Sequence, residues 1–368
     1  MKLFILLPVI LFANIIFPQK SEKSKALDVN YFRGNVMAHS PDLHQLITGH
    51  PDGLLVSFSQ KTNGNKEWHS LYNFPDYGAY FLYQDYKNEL LGENFAVGAF
   101  YNFYFLNRKL SCKVAQGIGI TSNPYDKETN SKNKAFGSKV MGNINLAINY
   151  KRENVIDNFG FQAGFLFTHF SIGRIKSPNS GINTYCLNMG VNYVFDEVKI
   201  IQKDSVFVKS KFTEPLKYNV LFRTGFNESP VVGSGQKPFY HIGFYADKRI
   251  NRKSAIQFGT ELFLTTSIKE YIRFRSISFP EKPVDIDTDY KRVGVFVGHE
   301  LFINKISIEG QIGNYVYRPF KDGAPIYDRV GVKYYFSKKS IYRSFSCNTR
   351  FFSGSDGVCN RCSIIVVL

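Results

Sequence analysis

Two residues near the middle of the chain have the types and spacing for nucleophilic chemistry. In FQAGFLFTHFSIGRIKSPNSGIN, residues 161–183, His169 and Ser171 stand two apart at the end of an apolar, aromatic run. In an extended strand this spacing puts both side chains on one face, roughly 7 Å apart along the chain. An imidazole and a hydroxyl that bend towards each other across that gap meet the minimum geometry for an activated serine. An isolated H-x-S is more often structural, so its surroundings must decide. Phe161, Ala163, Phe165 and Phe167 share the face of the pair and are all apolar, whereas Gln162, Gly164, Leu166, Thr168 and Phe170 form a more polar opposite face.

The elements that would carry the pair come from the rest of the chain. From Leu54 onward the sequence falls into segments of about ten residues, separated by Asn, Gly, Lys, Pro and Asp turns, the length that a membrane-spanning strand needs. In 142–150, Ile144, Leu146, Ile148 and Tyr150 alternate with Asn143, Asn145, Ala147 and Asn149. In 255–264, Ile256, Phe258, Leu262 and Leu264 oppose Gln257, Gly259 and Glu261, and 306–317 alternates in the same way. Soluble sandwich strands are shorter, about five or six residues, so length favours a barrel. The expected fold is all-β, one antiparallel transmembrane β-barrel of about 12–14 strands. Short turns such as Asn304-Lys305 on one side and long connections at 121–139, 173–183 and 265–291 on the other fit that asymmetry.

Composition agrees. Phe (35) and Tyr (23) are abundant among 368 residues, which suits strands rather than helices. The net charge is +16, but Lys and Arg are spread over nearly every loop without a nucleic-acid motif, so no nucleic-acid partner is expected. An anionic membrane surface or an anionic lipid substrate explains the charge at least as well. MKLFILLPVILFANIIFPQK reads as a secretory signal peptide, and no later stretch approaches the roughly 18 apolar residues of a membrane helix. The expected layout is a signal peptide over 1–19, an irregular segment over 20–53, a barrel over 54–337 and an atypical tail over 338–368. In that tail the alternating final strand is missing and Cys347, Cys359 and Cys362 cluster. The sharp shift in composition suggests a tail read out of frame after about Ser340, while a disulfide is an alternative. His39, His44 and His50 lack partner ligands at metal spacing and read as loop or plug residues, and no metal or cofactor is called for. His299 shares the face of Val295, Val297 and Leu301, a polar residue looking outward.

If the strand ending at Ser171 spans a membrane, its apolar face looks at lipid, and His169 and Ser171 look with it. Polar groups there are costly as decoration and make sense when the substrate is itself a lipid. The segment THFSIGRIKSPNSGIN, with His169, Ser171, Pro178, Asn179, Gly181 and Ile182, resembles the active-site segment of the lipid A 3-O-deacylases, PagL-like outer-membrane barrels. Residues 48–78, 123–138 and 298–336 resemble the longer members, the acyloxyacyl hydrolases. The resemblance implies a carboxylic ester hydrolase of the cell outer membrane that removes an ester-linked acyl chain from lipid A (lipopolysaccharide). It implies Ser171 as nucleophile, His169 as general base and Asn179 as a positioning or oxyanion residue. Two departures stand out: Asn183 occupies the position of a family Glu that orients the His, and Ile172 follows the nucleophile where the family often has Asn. The third member is therefore Asn183, a carboxylate from another strand, or absent. Phe165 and Phe167 become candidates for an acyl-chain groove. Arg174 and Lys176 would meet lipid A phosphates or serve only as a solvated loop. The rival readings are a non-catalytic barrel, porin-like or structural, and a soluble glycan-binding sandwich.

Overall fold

The computed structural model describes residues 24–196, 212, 214–281 and 284–335, together with the backbone of 342–349 and 361–367. Among the described residues sixteen strands form two closed antiparallel barrels of eight. The first contains β1 (Lys25–Met37), β2 (Asp52–Lys61), β3 (Asp76–Asp85), β4 (Glu93–Phe105), β5 (Leu110–Thr121), β6 (Val140–Ile156), β7 (Phe159–Ser171) and β8 (Ile182–Val194). It closes where β1 pairs with β8. The second contains β9 (Lys217–Asn227), β10 (Lys237–Arg249), β11 (Ser254–Thr265), β12 (Arg292–Ile303), β13 (Ile306–Tyr317), β14 (Ile326–Tyr334), β15 (Tyr342–Thr349) and β16 (Arg361–Val367). It closes between β16 and β9.

The all-β membrane-barrel expectation is met, but the single barrel of 12–14 strands is replaced by two barrels of eight. Alternation tells a strand which side faces lipid but says nothing about which strand closes the ring. The charged connection after Val194 is where the ring closes early. β1 runs through 25–37, inside the segment expected to be irregular, with Asp28, Asn30 and Phe32 buried inside the barrel and Tyr31 exposed outside. In the tail, where the sequence lacks an alternating final strand, β15 and β16 supply the closing strands. The signal peptide, and the side chains of Cys347, Cys359 and Cys362, lie outside the described residues.

The strand alternation is reproduced residue by residue. Asn143, Asn145 and Asn149 are buried in the first lumen while Leu146, Ile148 and Tyr150 are exposed outside. An eight-strand ring has an interior just wide enough for side chains to fill. In the first barrel Lys151 Nζ lies 2.9 Å from Asp28, Lys113 Nζ donates to Ser57 Oγ at 2.7 Å, and Gln162 bonds Asn30 at 2.7 Å. In the second, Arg223 and Arg329 each lie 2.8 Å from Glu261, and Lys333 lies 2.7 Å from Glu309. Buried charges persist only when paired in this way. Among the described residues both lumens hold paired polar and charged side chains.

Most long connections gather at one end, an exception being 62–75 between β2 and β3. The first barrel carries 38–51, 86–92, 122–139 and 172–181 there, and short turns such as 106–109 and 157–158 at the other. In the second barrel 265–291, expected as a long loop, holds helix α2 (Thr266–Ser278), numbered after a one-turn α1 (Glu67–Leu71) between β2 and β3. His299 is exposed on the outer face of β12, as expected. The barrels touch at both ends. At the turn end Tyr72 donates to the Phe302 carbonyl at 2.6 Å, and Arg252 pairs with Glu67 at 2.6 Å. At the loop end 172–181 meets the β9–β10 connection.

Candidate active site

β7 runs towards the loop end with an outward row of Phe161, Ala163, Phe165, Phe167, His169 and Ser171. Phe165 is 69% exposed, as expected of a wall that faces lipid. The row then disappears beneath the loops: His169 is 3% exposed and Ser171 1%. The two polar residues share the lipid-facing row but are covered at the rim, which removes the cost of leaving them in hydrocarbon.

The sheet register places the neighbours of His169. Asn183 of β8 stands directly across from it, and Ile144 of β6 lies opposite on the other side. Asn183 Oδ1 lies 2.6 Å from His169 Nδ1. An amide oxygen can only accept, so Nδ1 carries the proton and the basic lone pair falls on Nε2. This is the tautomer that a general base beside a serine requires. The position at which sequence reasoning missed a carboxylate therefore does orient the imidazole, through an amide.

Ser171 Oγ accepts two hydrogen bonds. Asn179 Nδ2 donates to it at 2.8 Å and the Gly173 backbone N–H at 2.9 Å. Both donors belong to the 172–181 connection, which turns back over the serine through a short 3-10 turn at Gly173–Ile175. Gly181 has φ +68°, and a Cβ there would lie 3.0 Å from Ser171 Cβ and 3.1 Å from Ser171 Oγ. Only glycine lets the chain pass this close in that conformation. On its inner side the loop is held by the first barrel's own 122–139 connection. Ser180 N–H donates to the Lys134 carbonyl at 2.9 Å, and Gly181 N–H to that of Ala135 at 3.0 Å. Asn133 shapes that cradle, accepting from Ala135 N–H at 3.0 Å and donating to the Asn123 carbonyl at 2.8 Å.

The structure thus brings together Ser171, His169, Asn183 and Asn179. Phe165 and Phe167 lie below them on the same outward wall. Arg174 is half-buried at the seam between the barrels, while Lys176 is exposed. Sequence reasoning left His39 as a loop residue. It reaches the site, with Nε2 3.0 Å from the Ser180 carbonyl and Nδ1 3.4 Å from Asn183 Nδ2. His50 stays at the rim, 2.7 Å from Asn35 Oδ1. Gly173 and Glu228 also escaped the sequence reading. One contributes only a backbone N–H, and the other comes from the second barrel, so no local spacing announces either.

Residues 52–192 match the family model of the lipid A 3-O-deacylase (PagL), and residues 216–359 that of the acyloxyacyl hydrolase C-terminal domain. The two matches fall on the first and second barrels respectively. None of the curated proteins matches the chain. Among solved structures, OccAB3 of Acinetobacter baumannii is 10% identical, with 94% of this chain and 98% of that one covered and a TM-score of 0.23. A mutant porin of Rh. blastica is 9% identical over 94% of this chain and 98% of its own, with a TM-score of 0.20. Scores so low carry no argument beyond the barrel already described. The chain belongs to the lipid A 3-O-deacylase (PagL) family, with an acyloxyacyl hydrolase C-terminal domain as its second barrel.

Proposed function

We propose that this protein is an outer-membrane serine esterase that hydrolyses an ester-linked acyl chain of lipid A, with Ser171 as nucleophile and His169 as general base. The observation that carries the reading is the serine's setting. Its Oγ receives Asn179 Nδ2 at 2.8 Å and Gly173 N–H at 2.9 Å on the lipid-facing row, beside an imidazole held by Asn183. In the proposed reaction Ser171 Oγ forms a bond to the ester carbonyl carbon as its proton passes to His169 Nε2. Asn179 Nδ2 and Gly173 N–H are donors at hand for the charge that develops on the carbonyl oxygen, an arrangement that contributes about 3–4 kcal/mol per donor elsewhere. Collapse of the tetrahedral intermediate breaks the ester C–O bond, and the proton on His169 goes to the departing sugar oxygen. Water, deprotonated by His169, then releases the fatty acid from Ser171.

The acyl chain has a path along the outer wall past Phe167 and Phe165, which a ligand already resident in the leaflet reaches without entering water. Arg174 and Lys176 sit at the loop end, the level of a lipid's phosphates. The paired charged side chains that occupy both lumens among the described residues count against the porin-like alternative. The test is expression of wild type, Ser171→Ala and His169→Ala in a host of defined lipid A, followed by mass spectrometry of the lipid. Wild type should remove the mass of one acyl chain and both variants should not. Unchanged deacylation in both variants removes the mechanism.

A further inference from the structure

The connection over Ser171 is held on one side by its own barrel. On the other it is held by a residue of the second barrel, Glu228, at the start of the β9–β10 connection. Glu228 is 4% exposed, and three of its groups are engaged. Its backbone N–H donates to the Arg174 carbonyl at 2.6 Å. Its Oε2 accepts from Ser177 N–H at 2.7 Å, and its Oε1 from Gly235 N–H at 3.0 Å, which ties the clamp back to its own loop. Two further bonds follow the same seam: Ser177 Oγ donates to the Ser229 carbonyl at 2.7 Å, and Gln236 Nε2 to the Ile175 carbonyl at 2.9 Å.

These contacts bear on chemistry because of where they fall. Arg174 is adjacent to Gly173, and Ser177 is two residues before Asn179, so the two attachments of Glu228 flank the two donors to Ser171 Oγ. We infer that Glu228 of the second barrel is a positioning residue for the esterase site, holding the 172–181 loop so that Asn179 and Gly173 aim at Ser171. The inference rests on the proposed role of Ser171 and gives the second barrel a task in the same reaction. A carboxylate suits the task because both its oxygens accept, so one side chain can hold two backbone N–H groups on two different loops. The seam holds the opposite half of the loop from 122–139, which bonds it at Ser180 and Gly181 and, through Gly137 N–H at 3.5 Å, at Asn179 Oδ1.

The experiment uses the full chain in lipid vesicles containing lipid A and compares wild type, Glu228→Ala and Glu228→Gln. Barrel closure is checked by heat-modifiable gel mobility. Fatty-acid release gives kcat and KM, and hydrogen exchange is read on peptides covering 172–181. In Glu228→Ala the exchange of 172–181 should accelerate and kcat should fall roughly 10- to 100-fold, the cost of a donor displaced by about 1 Å, with KM little changed. Glu228→Gln keeps the volume and one acceptor, so it should lose less than Ala; it also carries the test if the Ala variant fails to close. Wild-type exchange and wild-type kcat in both variants would overturn the inference, as would a fall in kcat with exchange of 172–181 unaltered. A wild-type chain that releases no fatty acid while exchange still responds to Glu228→Ala removes the esterase reading and leaves the clamp standing.

Discussion

Asn183 is the residue whose replacement tests the site's electrostatics most sharply. Its Oδ1 holds His169 Nδ1 at 2.6 Å, so the tautomer is already correct and the variant of interest is Asn183→Asp. When His169 takes the serine proton, the neutral amide offers only a dipole to the new imidazolium, whereas a carboxylate offers a full charge. At a separation of about 4 Å and an effective dielectric near 20, that charge is worth about 4 kcal/mol. Partial burial of the carboxylate costs several kcal/mol of desolvation, of which the charge-assisted hydrogen bond recovers part. A net transition-state gain of about 1–2 kcal/mol corresponds to a roughly 5- to 30-fold rise in kcat. The second carboxylate oxygen falls where Asn183 Nδ2 now meets His39 Nδ1 at 3.4 Å, and the other tautomer of His39 can donate to it. The assay is fatty-acid release from lipid A under saturating substrate, with Asn183→Leu as the opposite control. Leu keeps the volume but cannot accept, and it should lower kcat by about 100-fold or more by freeing the tautomer. A fall in kcat for Asp comparable with that for Leu would refute the reasoning, because orientation by an acceptor would then not be what Asn183 supplies.

Further outcomes follow from the same geometry. Gly181→Ala forces a Cβ to 3.0 Å from Ser171 Cβ at φ +68°, and should cost about 1–2 kcal/mol in stability, read by urea unfolding in vesicles, together with a loss of esterase turnover. Phe165→Arg places a charge on a wall position that is 69% exposed to lipid, and should lower folding stability by about 2–4 kcal/mol if that position lies near mid-membrane, whereas Phe165→Leu should change it little. Asp28→Asn removes the carboxylate charge 2.9 Å from Lys151 and 3.6 Å from Lys113, leaving Lys151 with Glu153 at 3.6 Å and Lys113 with Ser57; the loss should be about 3 kcal/mol by the same titration.

The sequence made the wall of the barrel legible and left its closure hidden. The alternation at Ile144, Leu146 and Ile148 against Asn143, Asn145 and Asn149 states which side chains face lipid, and the strands obey it. Ring closure depends on β1 meeting β8 and β16 meeting β9, long-range pairings that no period-2 pattern encodes. Strand β1 escaped because it follows an apolar N-terminal run and precedes a cluster of histidines. At the site, His169 and Ser171 were visible through their spacing, and the partner of His169 was visible as Asn183, an amide that can hold the imidazole's tautomer but offers no full charge to its imidazolium. Gly173 was invisible because its contribution is a backbone N–H, whose direction depends on the turn. Glu228 lies 57 positions beyond Ser171 in another barrel, and only the folded seam brings it to the loop.

In the proposed reaction Ser171, activated by His169, is the nucleophile. The most direct test of this role is site-mapped covalent trapping: the vesicle-embedded chain is treated with a long-chain alkyl fluorophosphonate, digested and mapped by peptide mass spectrometry. One modified serine is expected, Ser171, with labelling abolished in Ser171→Ala and strongly slowed in His169→Ala. Labelling at another residue, or lipid A deacylation that persists in Ser171→Ala, would contradict it.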